Sequence, residues 1–123
     1  GYTMEATGKA LWFDDERLID AVTAVSGSGP AYFYLVMEAM AEVAEEFGFD
    51  AATARTLVTQ TALGAGRVAA ETDESLADLR ARVTSPGGTT AAALEKLEAA
   101  NIRDMFRTAL EAAQQRSVEL GKE

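Results

Sequence analysis

The chain has 123 residues, 48% of them apolar, enough for one domain that buries roughly two-thirds of its unfolded surface. Its 20 acidic and 11 basic residues leave a net charge of -9, and no Lys/Arg cluster offsets it, which argues against nucleic-acid backbones and anionic membrane surfaces as partners. Cysteine and histidine are both absent. That excludes disulfides, thiolate nucleophiles, imidazole bases and Cys/His metal sites. Proton transfer is left to carboxylates, Tyr, Lys, hydroxyls or water, and no metal site is expected.

The most apolar run, 30–37, is too short to span a bilayer, and Glu38 and Glu42 follow it closely. No secretory signal is read at the start, and a cytoplasmic location is the expectation.

In chain order, residues 1–13 differ from the rest. Lys9-Ala10-Leu11-Trp12-Phe13 is bulky and strand-like, with no partner strand evident elsewhere. It reads either as the last strand of an upstream domain or as an N-terminal arm packing Trp12 on helices. Residues 14–123 read as an all-helical domain. Asp14 or Asp15 caps a first helix with Leu18, Ile19, Val22 and Val25 on one side, stopping at Ser26-Gly27-Ser28-Gly29. Pro30 suits the first position of a second helix, which runs to Phe47 and ends at Gly48. Residues 31–37 are apolar on every side, a pattern that a surface helix of a small monomer cannot hide, so burial within an oligomer is expected.

Asp50 caps a third helix over 51–71, in which Gly64 and Gly66 are read as points of close helix approach. Ser75-Leu76-Ala77-Asp78 resembles a capping box and opens a short helix to about Val83. Two more helices follow, over 90–99 and 102–120, with Asn101 between them and Gly121 at the end. There are no internal repeats and no linker.

The stretch richest in chemistry is Val83-Thr84-Ser85-Pro86-Gly87-Gly88-Thr89-Thr90. Pro86 interrupts the preceding helix, and the two glycines let the chain turn and expose bare backbone. Thr89 or Thr90 then caps a new helix through its hydroxyl. Unpaired N–H groups at that helix start suit a carboxylate or a phosphate. A corner whose Pro, Gly and Thr serve only the backbone explains the same residues.

This stretch, with Leu79 and Arg80 before it and Leu94, Leu97 and Glu98 after it, resembles the signature of pyrroline-5-carboxylate reductase. A second stretch, Asp20-Ala21-Val22-Thr23-Ala24-Val25-Ser26-Gly27-Ser28-Gly29-Pro30-Ala31-Tyr32, resembles the same family, at about the family's separation from the first. The resemblance implies a C-terminal, dimer-forming helical bundle of intertwined helices, lacking the family's N-terminal Rossmann domain. Lys9 to Phe13 then corresponds to the end of that upstream domain.

The implied reaction is hydride transfer from NADPH or NADH to the C=N bond of 1-pyrroline-5-carboxylate, giving proline. By resemblance, the backbone N–H groups of Gly88, Thr89 and Thr90 grip the substrate carboxylate. The Thr90 hydroxyl contacts the ring nitrogen as the catalytic group. Val83, Ser85 and Gly87 shape the pocket, and Asp73 falls where relatives place a carboxylate near the substrate. Thr23, Ser28 and Glu16 lie toward the nicotinamide end of the cofactor. Most of the cofactor's binding is assigned to the absent domain, so this chain by itself is expected to be inactive. The partner is a second copy, with a higher assembly of dimers as an extension. A stand-alone oligomerisation module and a stand-alone carboxylate-binding domain are the alternatives.

Three further readings rest on the residues themselves. Gly27-Ser28-Gly29 is not a dinucleotide fingerprint, because a helix precedes it and Pro30 follows it. Tyr32, Phe33 and Tyr34 read as core or interface aromatics. Arg80 and Arg82 read as solvated surface.

Overall fold

The computed structural model describes residues 2–6, 9–13 and 17–122. They form two strands, β1 (Tyr2–Ala6) and β2 (Lys9–Phe13), and six α-helices. The helices are α1 (Arg17–Val22), α2 (Gly29–Glu46), α3 (Ala51–Glu71), α4 (Leu76–Arg82), α5 (Thr89–Ala99) and α6 (Ile102–Gly121). A π-helical turn, Thr23–Gly27, continues α1 toward α2. From Arg17 onward the chain is helical, as its periodicity requires.

One expectation fails at the N-terminus. Lys9–Phe13 does have a partner: β1 pairs with it antiparallel, from Tyr2 opposite Phe13 to Ala6 opposite Lys9. The β1 residues, Tyr-Thr-Met-Glu-Ala, alternate apolar and polar side chains with the period of a strand, a signal only five residues long. The proposed cap at Asp14 or Asp15 lies outside the described residues.

The chain divides into two compact units, residues 1–33 with 101–123, and residues 34–100. In the first unit, α6 packs on α1 and on the π turn. Ser117 Oγ donates a hydrogen bond of 2.7 Å to Asp20 Oδ1, joining the last helix to the first. Ala24, on the π turn, is 2% exposed and is the buried apolar centre of this unit.

The second unit holds its helices by local devices. Asp50 accepts from the Thr53 amide at 2.7 Å and starts α3, and Ser75 Oγ accepts from the Asp78 amide at 3.0 Å and starts α4. Gly48 takes φ +114°, the left-handed conformation that ends a helix at least cost in glycine. Asn101 (φ 61°) makes the corresponding left-handed corner between α5 and α6. Arg82 is paired with Glu74, so it is not a free cation beside the glycine loop.

What this unit lacks is a core of its own. Its buried apolar side chains, among the described residues, are Ala54 and Val58 of α3. Meanwhile Leu35, Met40, Leu57, Leu63 and Val68 are exposed. Facing parts of α2 and α3 bound an open groove of about 780 Å³, lined by Tyr34, Met37, Ala41, Arg55 and Val58 among others.

Candidate functional site

The conspicuous loop is built by a turn. The Gly88 amide donates to the Ser85 carbonyl at 3.0 Å, closing residues 85–88. Pro86 and Gly87 occupy the two central positions, and Gly87 sits at φ +72°. Proline followed by a residue with positive φ is the type II pattern, and a side chain at the second position is strained there.

Gly88 answers to a second constraint. A Cβ at that position would stand 2.6 Å from Ser85 Oγ and 3.2 Å from the Ser85 carbonyl oxygen. Upstream, the Thr84 hydroxyl donates to the Arg80 carbonyl at 2.6 Å, closing the C-terminal end of α4.

The cap is not the expected one. Neither Thr89 nor Thr90 sits at the N-cap of α5; Gly88 does, in extended conformation and with no side-chain acceptor to offer. The first closed bond of the helix is Ala92 N–H to Gly88 carbonyl, at 3.2 Å. The amides of Thr89, Thr90 and Ala91 therefore lead the helix without an intrahelical acceptor. Because the threonines fall inside the helix, their hydroxyls do not serve as its cap. Ser85 and Thr89 are exposed, while Gly88 and Thr90 are half-buried beside them. Val83 is 69% exposed at the C-terminal end of α4. Asp73 is exposed in the link between α3 and α4.

The candidate cofactor-side residues lie in the other unit. Thr23 opens the π turn, and its hydroxyl donates to the Ile19 carbonyl at 3.0 Å. With its proton committed, the oxygen of Thr23 can only accept from a ligand. Ser28 follows the turn, and its amide donates to the Thr23 carbonyl at 2.8 Å, the five-residue spacing of a π helix. Both residues are half-buried. Glu16 lies outside the described residues. The structure thus groups 83–90 within the second unit and joins Thr23 to Ser28 within the first.

Sequence reasoning missed the π turn and what holds it. The Tyr32 hydroxyl donates to the Ala24 carbonyl at 2.7 Å, eight residues back. Tyr32 is therefore not merely a core aromatic. Pro30, expected at the first position of α2, is its second residue, after Gly29. Among the described residues, no helix is long and apolar enough to cross a membrane.

These features define a class: a helical domain with more apolar surface than a lone chain of this size hides, carrying a glycine turn that ends in bare amides. The chain belongs to the pyrroline-5-carboxylate reductase dimerisation family, whose model matches residues 16–120. A pyrroline-5-carboxylate reductase from Pseudomonas aeruginosa is 51% identical over 123 residues, covering 100% of this chain and 45% of the relative.

Two solved structures are similar. A pyrroline-5-carboxylate reductase from Coxiella burnetii matches with TM-score 0.87 and 50% identity, over 89% of this chain and 41% of that one. Plasmodium falciparum pyrroline carboxylate reductase, crystallised with NADP bound, matches with TM-score 0.83 and 34% identity, over 87% and 41%. The chain spans less than half the length of the relatives it matches.

Proposed function

We propose that this chain supplies the substrate-carboxylate seat and the dimer interface of an enzyme that reduces 1-pyrroline-5-carboxylate to proline. The observation that carries the reading is the type II turn over residues 85–88, feeding an α5 start whose leading amides lack a side-chain cap. The amides of Gly88, Thr89 and Thr90 are the groups assigned to the carboxylate, although Gly88 N–H already donates to Ser85. Thr89 and Thr90 are thus the stronger donors in this arrangement. The Thr90 hydroxyl orients the ring nitrogen, which gains a proton as the adjacent ring carbon gains hydride. Val83, Ser85 and Gly87 form the walls, and Asp73 is kept as a carboxylate near the ring.

NADPH or NADH supplies the hydride when bound. This chain's share is Thr23, whose oxygen is left as an acceptor, with Ser28 and Glu16. An amide N–H of the kind a nicotinamide carries fits that oxygen. A second copy covers the exposed apolar residues of α2 and α3 and interleaves its helices with them. Titration of L-proline into the protein tests the seat: binding is expected, Gly87→Ala should weaken it by straining the turn that presents the amides, and binding left undiminished by Gly87→Ala would remove the seat from the reading.

The second reading, a structural association module alone, is favoured by the exposed apolar helices. It makes no use of the bare amides beside Thr90. Proline binding separates the two.

A further inference from the structure

We propose that Tyr32 is a positioning residue, its hydroxyl holding the π turn in the geometry that presents Thr23 and Ser28 to the dinucleotide. The inference rests on the reading of Thr23 and Ser28 as cofactor-side residues.

A π turn is not the conformation that residues 23–27 would choose by themselves. It spends one more residue per turn than an α helix and is rare outside sites that something else stabilises. Thr23, Val25, Ser26 and Gly27 are all mediocre helix formers, so the segment has little preference of its own to enforce either register. The tertiary contact decides it. Tyr32 lies in the first turn of α2 and reaches back to the Ala24 carbonyl at 2.7 Å. Ala24 is 2% exposed, so water is poorly placed to replace that donor.

The turn's other bonds fix the presented groups. Ser28 N–H meets the Thr23 carbonyl at 2.8 Å, and the Thr23 hydroxyl meets Ile19 at 3.0 Å. The Thr23 methyl lies 3.7 Å from where a Cβ on Gly27 would stand, an ordinary van der Waals contact, so the turn itself does not demand glycine there. Relaxing the π turn to α register moves Ser28 about 100° around the axis relative to Thr23. Two hydroxyls set to meet one ligand would then diverge.

The test is Tyr32→Phe, which keeps the ring and removes only the hydroxyl, made in the protein as its gene encodes it. Amide exchange of residues 24–28 should quicken about threefold to tenfold, while amides of α6 stay unchanged. KM for NADPH should rise by a similar factor of about threefold to tenfold, with KM for the imine unchanged. A variant that merely loosened the fold would move both constants together. Unchanged exchange at 24–28 would overturn the proposal. Thr23→Val and Ser28→Ala separate the layers. If they raise KM for NADPH and Tyr32→Phe does not, this inference fails alone. If neither raises it, the cofactor-side reading falls and takes the inference with it.

Discussion

Ser117 and Asp20 are 97 positions apart, yet their side chains meet in a hydrogen bond of 2.7 Å that ties α6 to α1. The serine hydroxyl donates and the carboxylate accepts. Half-buried at both ends, the bond fixes the rotation of the last helix against the segment that leads into the π turn.

Ser117→Ala should therefore lower stability by about 1 kcal/mol, the usual net value of one intramolecular hydrogen bond. Denaturant unfolding at fixed protein concentration measures it, since association also adds to apparent stability. Asp20→Asn should cost less, because an amide oxygen still accepts from the hydroxyl. Equal stability of Ser117→Ala and the parent would show that α6 is held by packing alone.

Asp50 makes stability depend on pH. Its carboxylate accepts from the Thr53 amide, backbone bond foremost, and this holds its pKa below the ordinary 3.8. A group with a lowered folded pKa stabilises the fold above the unfolded value and loses that contribution as pH falls through the folded one. The parent should thus lose stability relative to Asp50→Asn as pH drops below 3.8, the ordinary value for Asp. The asparagine still caps the helix but does not titrate there. Parallel denaturation curves for the two proteins across acid pH would contradict this.

Asp50 also illustrates what the sequence made legible. Caps and stops are local: Asp50, Ser75, Gly48 and Asn101 act on amides or φ angles within a few residues, and each falls where the pattern put it. The cap of α5 was expected at Thr89 or Thr90, one or two residues late, because the threonines are better cap formers than Gly88. The turn closed by Pro86 and Gly87 decides the register there instead. The π turn was hidden for a different reason. Five-residue and four-residue spacing share the same apolar positions over so short a segment, and the group that chooses between them is Tyr32, beyond the turn. The partner of Lys9–Phe13 was legible in the alternation of Tyr2–Ala6, but a pattern of five residues is a short one beside the bulk of Leu11, Trp12 and Phe13.

Gly87, one of the proposed wall residues, offers a test of the glycine turn. At φ +72° an L side chain costs about 1–2 kcal/mol. Gly87→Ala should lower stability by that amount and weaken proline binding, since the α5 amides follow from the turn. Gly64→Ala serves as comparison: nothing lies within 4 Å of its Cβ position, and alanine favours a helix, so α3 should be no less stable within a protomer. Equal effects of the two substitutions on proline binding would break the link between turn and seat.

Thr90→Ala bears on chemistry directly. If its hydroxyl orients the imine nitrogen, the variant made in the intact enzyme should lose at least about tenfold in kcat/KM, the worth of a hydrogen bond to a charged partner. Helix content by circular dichroism should be unchanged, because Gly88 and not Thr90 caps α5. Thr90→Ser should restore most of the rate. Parent-like turnover in Thr90→Ala would take the hydroxyl out of the mechanism.

Association is the most exposed of the expectations. Phe33, Tyr34 and Leu35 of α2 are each about two-thirds exposed, a density of apolar surface that a solvated helix does not sustain. A second copy of the same helices is the occupant whose surface is equally short of cover, and a twofold pairing satisfies both at once. Sedimentation at micromolar concentration should show a dimer. Leu35→Arg, placing a charge where about 2 kcal/mol of burial per copy is expected, should shift it to monomer. The same variant should expose the α2–α3 groove and raise binding of a hydrophobic dye. A parent protein that sediments as a monomer would leave that surface without cover and remove the interleaved dimer from the reading.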